Sequence, residues 1–247
     1  MRQGAAIGLT VLVLLVFPPS ARSESNDLTN AILGSVGFAI AGILPCWMTE
    51  LAAEDDGADD DAYDRRGWLV GAAGSYAIET FEDDEEALFQ SVLGPTIALS
   101  VDNSFGFNGR AGYRCHSRFS AEVEVEWVNG FDGNVSLPVL GEIATTEIEP
   151  IVVTTNVKGY LLTGRYQPFL LLGGGAMTAE FTIQNQTGMG ISGSERVSDF
   201  VMRFGGGIDV YATKNIVVSV GADYVLPFAD LKDLDYVSIG WGIQYRF

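Results

Sequence analysis

The sequence is short of the residues from which most active sites are built. It holds one histidine, His116, and two cysteines, Cys46 and Cys115, in 247 residues. One imidazole and two thiols exclude the common zinc sets, disulfide-dense scaffolds and histidine-based triads. Cations are scarce too: 14 Lys and Arg stand against 32 Asp and Glu, for a net charge of -18. Nucleic-acid binding needs cations to neutralise phosphates, so that class is excluded. What the chain has instead is apolar surface, 47% of its residues, with 11% aromatics and 30 Gly. Disordered chains lack that content, so most of this one is expected to fold.

Residues 1–23 read as a secretory signal peptide. Arg2 supplies the positive start, residues 5–17 are apolar, and Pro18 and Pro19 end the run. Ala21 and Ser23 put small residues where signal peptidase reads. An uncleaved membrane anchor is the alternative. Residues 24–66 are expected to form an apolar and then acidic segment, partly disordered. Its apolar part, 31–48, is just long enough to span a membrane. Gly34, Gly37, Gly42 and Pro45 weaken it as a helix. Residues 54–64 hold seven carboxylates. Their spacing does not fit a calcium-binding EF-hand loop, and like-charge blocks of this kind are solvated linkers.

From Trp68 onward the hydrophobic period is two, the signature of strands. The cleanest segment alternates Phe119, Ala121, Val123, Val125 and Trp127 with Glu122, Glu124 and Glu126. A helix would scatter those Glu; a strand sets them in one row. Eight such segments follow one another, the fourth from about 151 to 163. Short connections near 115–118, 164–167 and 213–215 alternate with long ones near 82–103, 130–148 and 182–199, and a moderate one at 229–235. That rhythm predicts an eight-stranded antiparallel up-and-down transmembrane β-barrel over residues 67–247, with the short turns at one end.

Alternation alone leaves open which face is outside. A soluble lipocalin-like barrel turns its apolar face inward; a membrane barrel turns it outward. The leader, the turn asymmetry and the aromatics favour the membrane. Tyr113, Phe119, Phe169, Tyr245 and Phe247 are expected to ring the short-turn end. Phe105, Trp127, Phe181, Phe200 and Phe228 are expected at the other.

Several motifs carry a likeness. They are Gly71-Ala72-Ala73-Gly74-Ser75-Tyr76, Gly109-Arg110-Ala111-Gly112-Tyr113-Arg114, Asn156-Val157-Lys158-Gly159-Tyr160, Gln167-Pro168-Phe169 with Gly173-Gly174-Gly175, and terminal Tyr245-Arg246-Phe247. On these the chain resembles the small outer-membrane β-barrel family, the OmpA/OmpX-like barrel domain. The resemblance implies a bacterial outer-membrane address reached through the periplasm. It implies outer-membrane lipid and lipopolysaccharide as surroundings. It also implies that Tyr245 and Phe247 are read as a signal by the barrel-assembly machinery. The activity it implies is non-specific, since such barrels include structural proteins, adhesins, narrow pores and a few enzymes.

The polar face predicts a lumen charge network of Glu122, Glu124, Glu126, Arg110, Arg114, Lys158, Arg203, Asp209 and Asp223. The three Glu are expected to face Arg110, Arg114 and Lys158 from neighbouring strands. A filled lumen is favoured over a conducting one, because eight strands leave room only for side chains. No catalytic residue, cofactor or metal site is expected. His116 falls in a short turn, away from the outer rim where barrel lipid-modifying enzymes need a histidine. Asp83, Asp84, Glu85 and Glu86 are adjacent rather than convergent and read as a solvated loop. The GxGxxG at 188–193 lacks a strand-to-helix context and is no dinucleotide site. Asn134 and Asn185 start glycosylation sequons that mean little in a bacterial barrel. A Cys46–Cys115 disulfide is the one covalent tie the sequence permits. The leading reading is a non-enzymatic structural or surface-interaction protein. A small pore and a lipid-modifying enzyme stand as alternatives.

Overall fold

A computed structural model describes residues 63–80, 98–101, 103–137, 141–185 and 193–247. Residues 1–62 lie outside the described part, and with them the expected leader, the 31–48 stretch and nearly all of the acidic run. The acidic loop at 83–86 and most of the GxGxxG lie outside it as well.

The regular elements of the described chain are all strands but for one 3-10 turn, η1 (Ala229–Leu231). The strands are β1 (Gly67–Glu79), β2 (Ala98–Val101), β3 (Ser104–His116), β4 (Phe119–Val128) and β5 (Phe131–Leu137). After them come β6 (Gly141–Tyr160), β7 (Tyr166–Asn185), β8 (Gly193–Tyr211), β9 (Ile216–Pro227) and β10 (Tyr236–Arg246). Eight of them form a ring in the order β1, β3, β4, β6, β7, β8, β9, β10, every pair antiparallel. β10 returns to β1, from Leu69 opposite Arg246 to Glu79 opposite Tyr236, and the ring has no free edge. The fold is an eight-stranded antiparallel β-barrel.

The rows obey the period of two. Trp68, Val70 and Ala72 of β1 point outward, as do Val218 and Val220 of β9 and Trp241, Ile243 and Tyr245 of β10. Val70 is 50% exposed and Ile243 60%, values that would be unstable in water but suit lipid. Among the described residues, the outward rows of the ring strands carry Asp, Glu, Lys or Arg only at the upper ends of β6 to β8, at Glu147, Glu149, Glu180 and Arg196. A charge there would cost about 2–4 kcal/mol at mid-membrane depth. The inward rows carry Ser75, Asn108, Glu122, Glu124, Glu126, Thr154, Asn156, Lys158, Arg203, Asp209 and Gln244, all buried.

Two expectations need correction. The connections at 130–148 and 182–199 are largely strand. β6 begins at Gly141, and β6 to β8 run 19–20 residues against 10–13 in the other five ring strands. Their upper halves pair beyond the ring, as far as Ala144 opposite Asn185 and Ile183 opposite Gly193. β5 continues the line of β4 along β6, and β2 adds outside β5. The bend between β4 and β5 falls at Gly130, whose φ of 93° is open to glycine and strained for other residues. β6 itself stops at Tyr160, leaving Leu161 and Leu162 exposed in the turn.

The second correction concerns aromatics. Phe169 is buried at 4%, pointing inward with Leu171 and packing edge-on against Tyr160 at 6.2 Å between ring centroids. Period two from inward Gln167 requires this. Gly207 makes the room, since a Cβ there would come within 2.9 Å of the Phe169 ring. Phe181 likewise packs inward, against the apolar cluster at the upper end. Trp68, Tyr166, Tyr245 and Phe247 join Tyr113 and Phe119 as the exposed aromatics of the short-turn end.

All eight ring pairings remain if residues 132–147 are excised, because Trp127 still pairs with Ile151. The trimmed chain is therefore expected to keep the different gel mobility of unheated and heated samples that marks a folded barrel. Loss of that difference would show that the upper strands are needed for closure.

Candidate functional site

The lumen is where this sequence concentrates its polar chemistry. It is built in three levels.

The lowest level, at the short turns, rests on Arg114 of β3 and Arg246 of β10. Arg114 donates to Gln167 Oε1 at 2.6 Å and Tyr211 Oη at 3.0 Å, and also to the Ser117 carbonyl. Its guanidinium lies 4.1 Å over the Tyr160 ring. Arg246 donates to Tyr211 Oη at 3.2 Å, to the Lys214 carbonyl at 2.9 Å and to the Tyr63 carbonyl. Tyr63, ahead of β1, also accepts from Gln167 Nε2 at 3.3 Å and packs against Tyr211. Tyr63 is thus fixed at the barrel floor. His116 sits here too. Its Nδ1 accepts the Arg118 backbone N–H at 3.2 Å, a turn-stabilising bond.

The middle level is a belt of charge. Lys158 Nζ lies 3.1 Å from Glu122 and 4.0 Å from Asp209. Arg203 reaches across from β8 to β4, 2.8 Å from Glu124 Oε1 and in contact with Glu126 Oε2, with Asp223 at 3.9 Å. Arg110 lies 3.9 Å from Glu124 and donates to Asn108 at 3.1 Å. Neutral donors complete the shells. Ser238 and Tyr236 donate to Glu126 at 2.6 and 3.2 Å. Asn156 donates to Glu124 at 3.1 Å and Ser120 to Glu122 at 3.2 Å. Ser219 and Tyr160 donate to Asp209 at 2.5 and 3.2 Å.

The expected residues mostly share one space, but the expected partners differ in one respect. Arg114 pairs with neutral oxygens at the floor, not with the Glu row. Arg203 takes Glu124 and Glu126 instead. The row sits nearer the upper end than Arg114 does, and a guanidinium from a facing strand reaches it across a lumen this narrow. Sequence spacing within a strand cannot reveal a cross-lumen contact. Gln167, Tyr160, Tyr211 and Tyr236 were missed for the same reason, although each falls on an inward position.

The upper level is apolar. Five of the lumen rows change character one step above the belt. Ala77 follows Ser75, Val128 follows Glu126, Val152 precedes Thr154, Val201 precedes Arg203, and Val225 follows Asp223. These residues pack with Met177, Phe131, Tyr236, Leu231 and Leu234 into one buried cluster. η1 folds over it. Asp199 Oδ2 accepts the N–H groups of Asp230 at 2.9 Å and Leu231 at 3.0 Å, which pins the turn across the mouth. Asp235 adds a bond from Thr80 Oγ1 at 2.8 Å and one from Tyr224.

Chemically this arrangement fills space and fixes side chains. Among the described residues, no three of His, Cys, Asp and Glu gather to hold a metal ion. Cys115 is disulfide-bonded at the floor end of β3. Cys46 lies outside the described residues. The terminal Phe247 is exposed on the outer face beside Tyr245, with ring centroids 5.0 Å apart, and its N–H donates to Trp68 O at 3.0 Å.

Comparison with known proteins matches residues 16–247 to the family described as outer membrane protein beta-barrel domain. No curated protein matches the chain. Among solved structures, it is similar to Ail, the attachment invasion locus protein of Yersinia pestis. That match has 17% identity over 74% of this chain and 97% of the other, with a TM-score of 0.45. It is similar to Neisserial surface protein A at 13% identity over 74% and 99%, TM-score 0.45. The N-terminal β-barrel domain of Pseudomonas aeruginosa OprF matches at 11% identity over 74% and 100%, TM-score 0.44.

Two outcomes test the lumen. Arg203→Met strands Glu124 and Glu126 and is expected to cost about 3–5 kcal/mol in urea unfolding from lipid or detergent. Adding Glu124→Gln and Glu126→Gln is expected to restore most of that loss. A neutral single substitution would contradict the belt's role. For the floor, mass spectrometry without reductant is expected to find the Cys115 peptide linked to the Cys46 peptide, and two free thiols would refute the tie.

Proposed function

The chain belongs to the outer membrane protein beta-barrel domain family, and from that footing we propose a closed, non-enzymatic barrel of the bacterial outer membrane that acts by surface interaction. The observation that carries this reading is the wall of β5 to β8 standing above a sealed mouth. Within the ring, a belt of paired charges crosses the lumen and a buried apolar cluster packs above it. Above the ring, β6 to β8 extend into a sheet whose described surface carries Asp132, Glu149, Glu180, Glu195 and Arg196. A wall of that length serves no purpose in closing the barrel, and exposed elements on rigid scaffolds are where binding residues concentrate.

Lipopolysaccharide and outer-membrane lipid surround the ring in this reading. The acidic wall would meet lipopolysaccharide phosphates through bridging divalent cations. Tyr245 and Phe247, aromatic and exposed at the end of β10, serve as the signal for the barrel-assembly machinery. Replacing Phe247 with Ser is expected to slow insertion while leaving the refolded barrel's unfolding curve near that of the wild type.

Two measurements test the reading. In planar bilayers the folded protein is expected to show no large, steady single-channel openings. Such openings would favour a small pore in its place. Bacteria displaying the full chain are expected to attach to protein-coated surfaces better than bacteria displaying the form lacking residues 132–147. Equal attachment would remove the wall from the function.

A further inference from the structure

The short-turn end of the barrel repeats one arrangement around its rim. Turns join β3 to β4, β6 to β7 and β8 to β9 there, and β1 begins beside the end of β10. These four stations fall at alternate seams of the ring, roughly 12 Å apart for eight tilted strands. Each presents an exposed cation and, within two residues of it, an exposed apolar side chain. Arg66 precedes Trp68 and Arg118 precedes Phe119. Arg165 precedes Tyr166 and Lys214 precedes Ile216. Asp64 is the one carboxylate among the described residues of these turns and of 63–66. Arg165 is held at the rim, its Nε donating to the Tyr211 carbonyl at 3.0 Å. Among the described residues, Arg66, Arg118 and Arg165 make no ion pair, whereas Arg110, Lys158 and Arg203 of the belt all do.

The apolar neighbours set the depth of these cations. Outward aromatic and aliphatic side chains end where hydrocarbon gives way to headgroups. A cation one or two residues beyond that edge lies level with the lipid phosphates, and its alkyl stem lets the charge reach them. The opposite edge has the reverse sign. Glu149 stands two residues beyond exposed Ile151, and Asp230 two residues beyond exposed Phe228. The two interfaces of the barrel therefore differ in charge, and the basic one runs against the net of -18.

Resting on the outer-membrane reading of this barrel, we propose that Arg66, Arg118, Arg165 and Lys214 form a rim that gathers anionic phospholipid headgroups around the short-turn end. The phosphate of phosphatidylglycerol has no cation of its own and accepts charge-assisted bonds from guanidinium and ammonium groups. Phosphatidylcholine carries its own ammonium and gains less from the rim. The preference belongs to one interface only, so it fixes which leaflet the short turns occupy when the two leaflets differ in charge.

Tryptophan quenching by brominated lipid reads each interface separately. The chain holds Trp47, Trp68, Trp127 and Trp241. Trp68 is at the rim and Trp127 at the opposite edge. One form of the full chain keeps Trp68 alone (Trp47→Phe, Trp127→Phe, Trp241→Phe), and another keeps Trp127 alone (Trp47→Phe, Trp68→Phe, Trp241→Phe). Both are folded into mixed phosphatidylcholine and phosphatidylglycerol vesicles in which one lipid is brominated. At about 0.02 M salt, the preference for phosphatidylglycerol over phosphatidylcholine is expected to be about three- to five-fold greater at Trp68 than at Trp127. Raising salt to about 0.5 M is expected to bring the two together, because the Debye length shrinks to a few ångströms. Arg66→Gln with Arg118→Gln, the cations on either side of Trp68, is expected to lower the Trp68 preference at low salt. Equal preference at the two tryptophans, or a Trp68 preference that survives both salt and the loss of those cations, would overturn the proposal. The unmodified chain supplies a second measurement: spin-labelled phosphatidylglycerol is expected to show a larger immobilised fraction than spin-labelled phosphatidylcholine at low salt, and equal fractions would overturn the proposal. Binding of polyglutamate to the barrel in phosphatidylcholine vesicles, with no preference for phosphatidylglycerol, would assign the rim to a soluble acidic partner and overturn it too. The different gel mobility of unheated and heated samples reports closure independently. A folded barrel without the lipid preference refutes the rim alone; a chain that stays out of vesicles refutes the outer-membrane reading itself.

Discussion

Everything in this molecule follows from one constraint: in lipid, each backbone N–H and C=O must find a partner within the protein. The pairing of β10 with β1 meets it by removing the last free edges. Once the ring is closed, one face of every strand meets hydrocarbon and the other meets a narrow interior. The apolar half of each alternation must go outward, and all the ring's charges must go inward. Glu122, Glu124, Glu126, Lys158, Arg203 and Asp209 are thus buried as a consequence of closure. Buried charges are tolerable only when paired and hydrogen-bonded. The Lys158–Glu122 and Arg203–Glu124 contacts, with Ser, Asn and Tyr donors around them, are the form that pairing takes here.

The same constraint relaxes at the ends, and there the chain departs from strict alternation. Above the belt the inward rows turn apolar, because Leu231 and Leu234 from the connecting loop can pack on them. Asp199 holds that loop by accepting two backbone N–H groups, a device that needs no partner strand. Below the belt, Arg114 and Arg246 turn to carbonyls, tyrosine hydroxyls and aromatic faces. The guanidinium of Arg114 over Tyr160 and that of Arg246 over Tyr211 add cation–π attraction to those bonds. Beyond the ring, β6 to β8 pair in the open and are free to serve contacts outside the membrane.

The sequence made the ring legible and its ends obscure, for physical reasons. Period two states a side chain's face directly, so the outward row of β4 and the Glu row behind it could be read without neighbours. The short turns at 117–118 and 212–215 could be read from their length. The hairpin of β5 and upper β6 could not, because Gly133, Asn134, Pro138 and Gly141 carry the composition of a loop while strand pairing supplies the order. β7 is apolar on both faces, so the outward direction expected for Phe169 and Phe181 fails, and only their register with inward Gln167 places them. The stopper is invisible one strand at a time. A single Val beyond a Glu means little until several strands present one at the same height. Arg203 reaching Glu124 is likewise a contact across the ring, set by closure and not by local spacing.

The central claim is closure through β1 and β10 with polar residues inside. Nuclear magnetic resonance of the folded protein in lipid nanodiscs tests it most directly. The account predicts backbone proton contacts across Ala72 and Ile243 and across Tyr76 and Ile239, with slow amide exchange along both strands. Missing contacts at that seam, with fast exchange on the facing edges of β1 and β10, would contradict the closed barrel and everything argued from it.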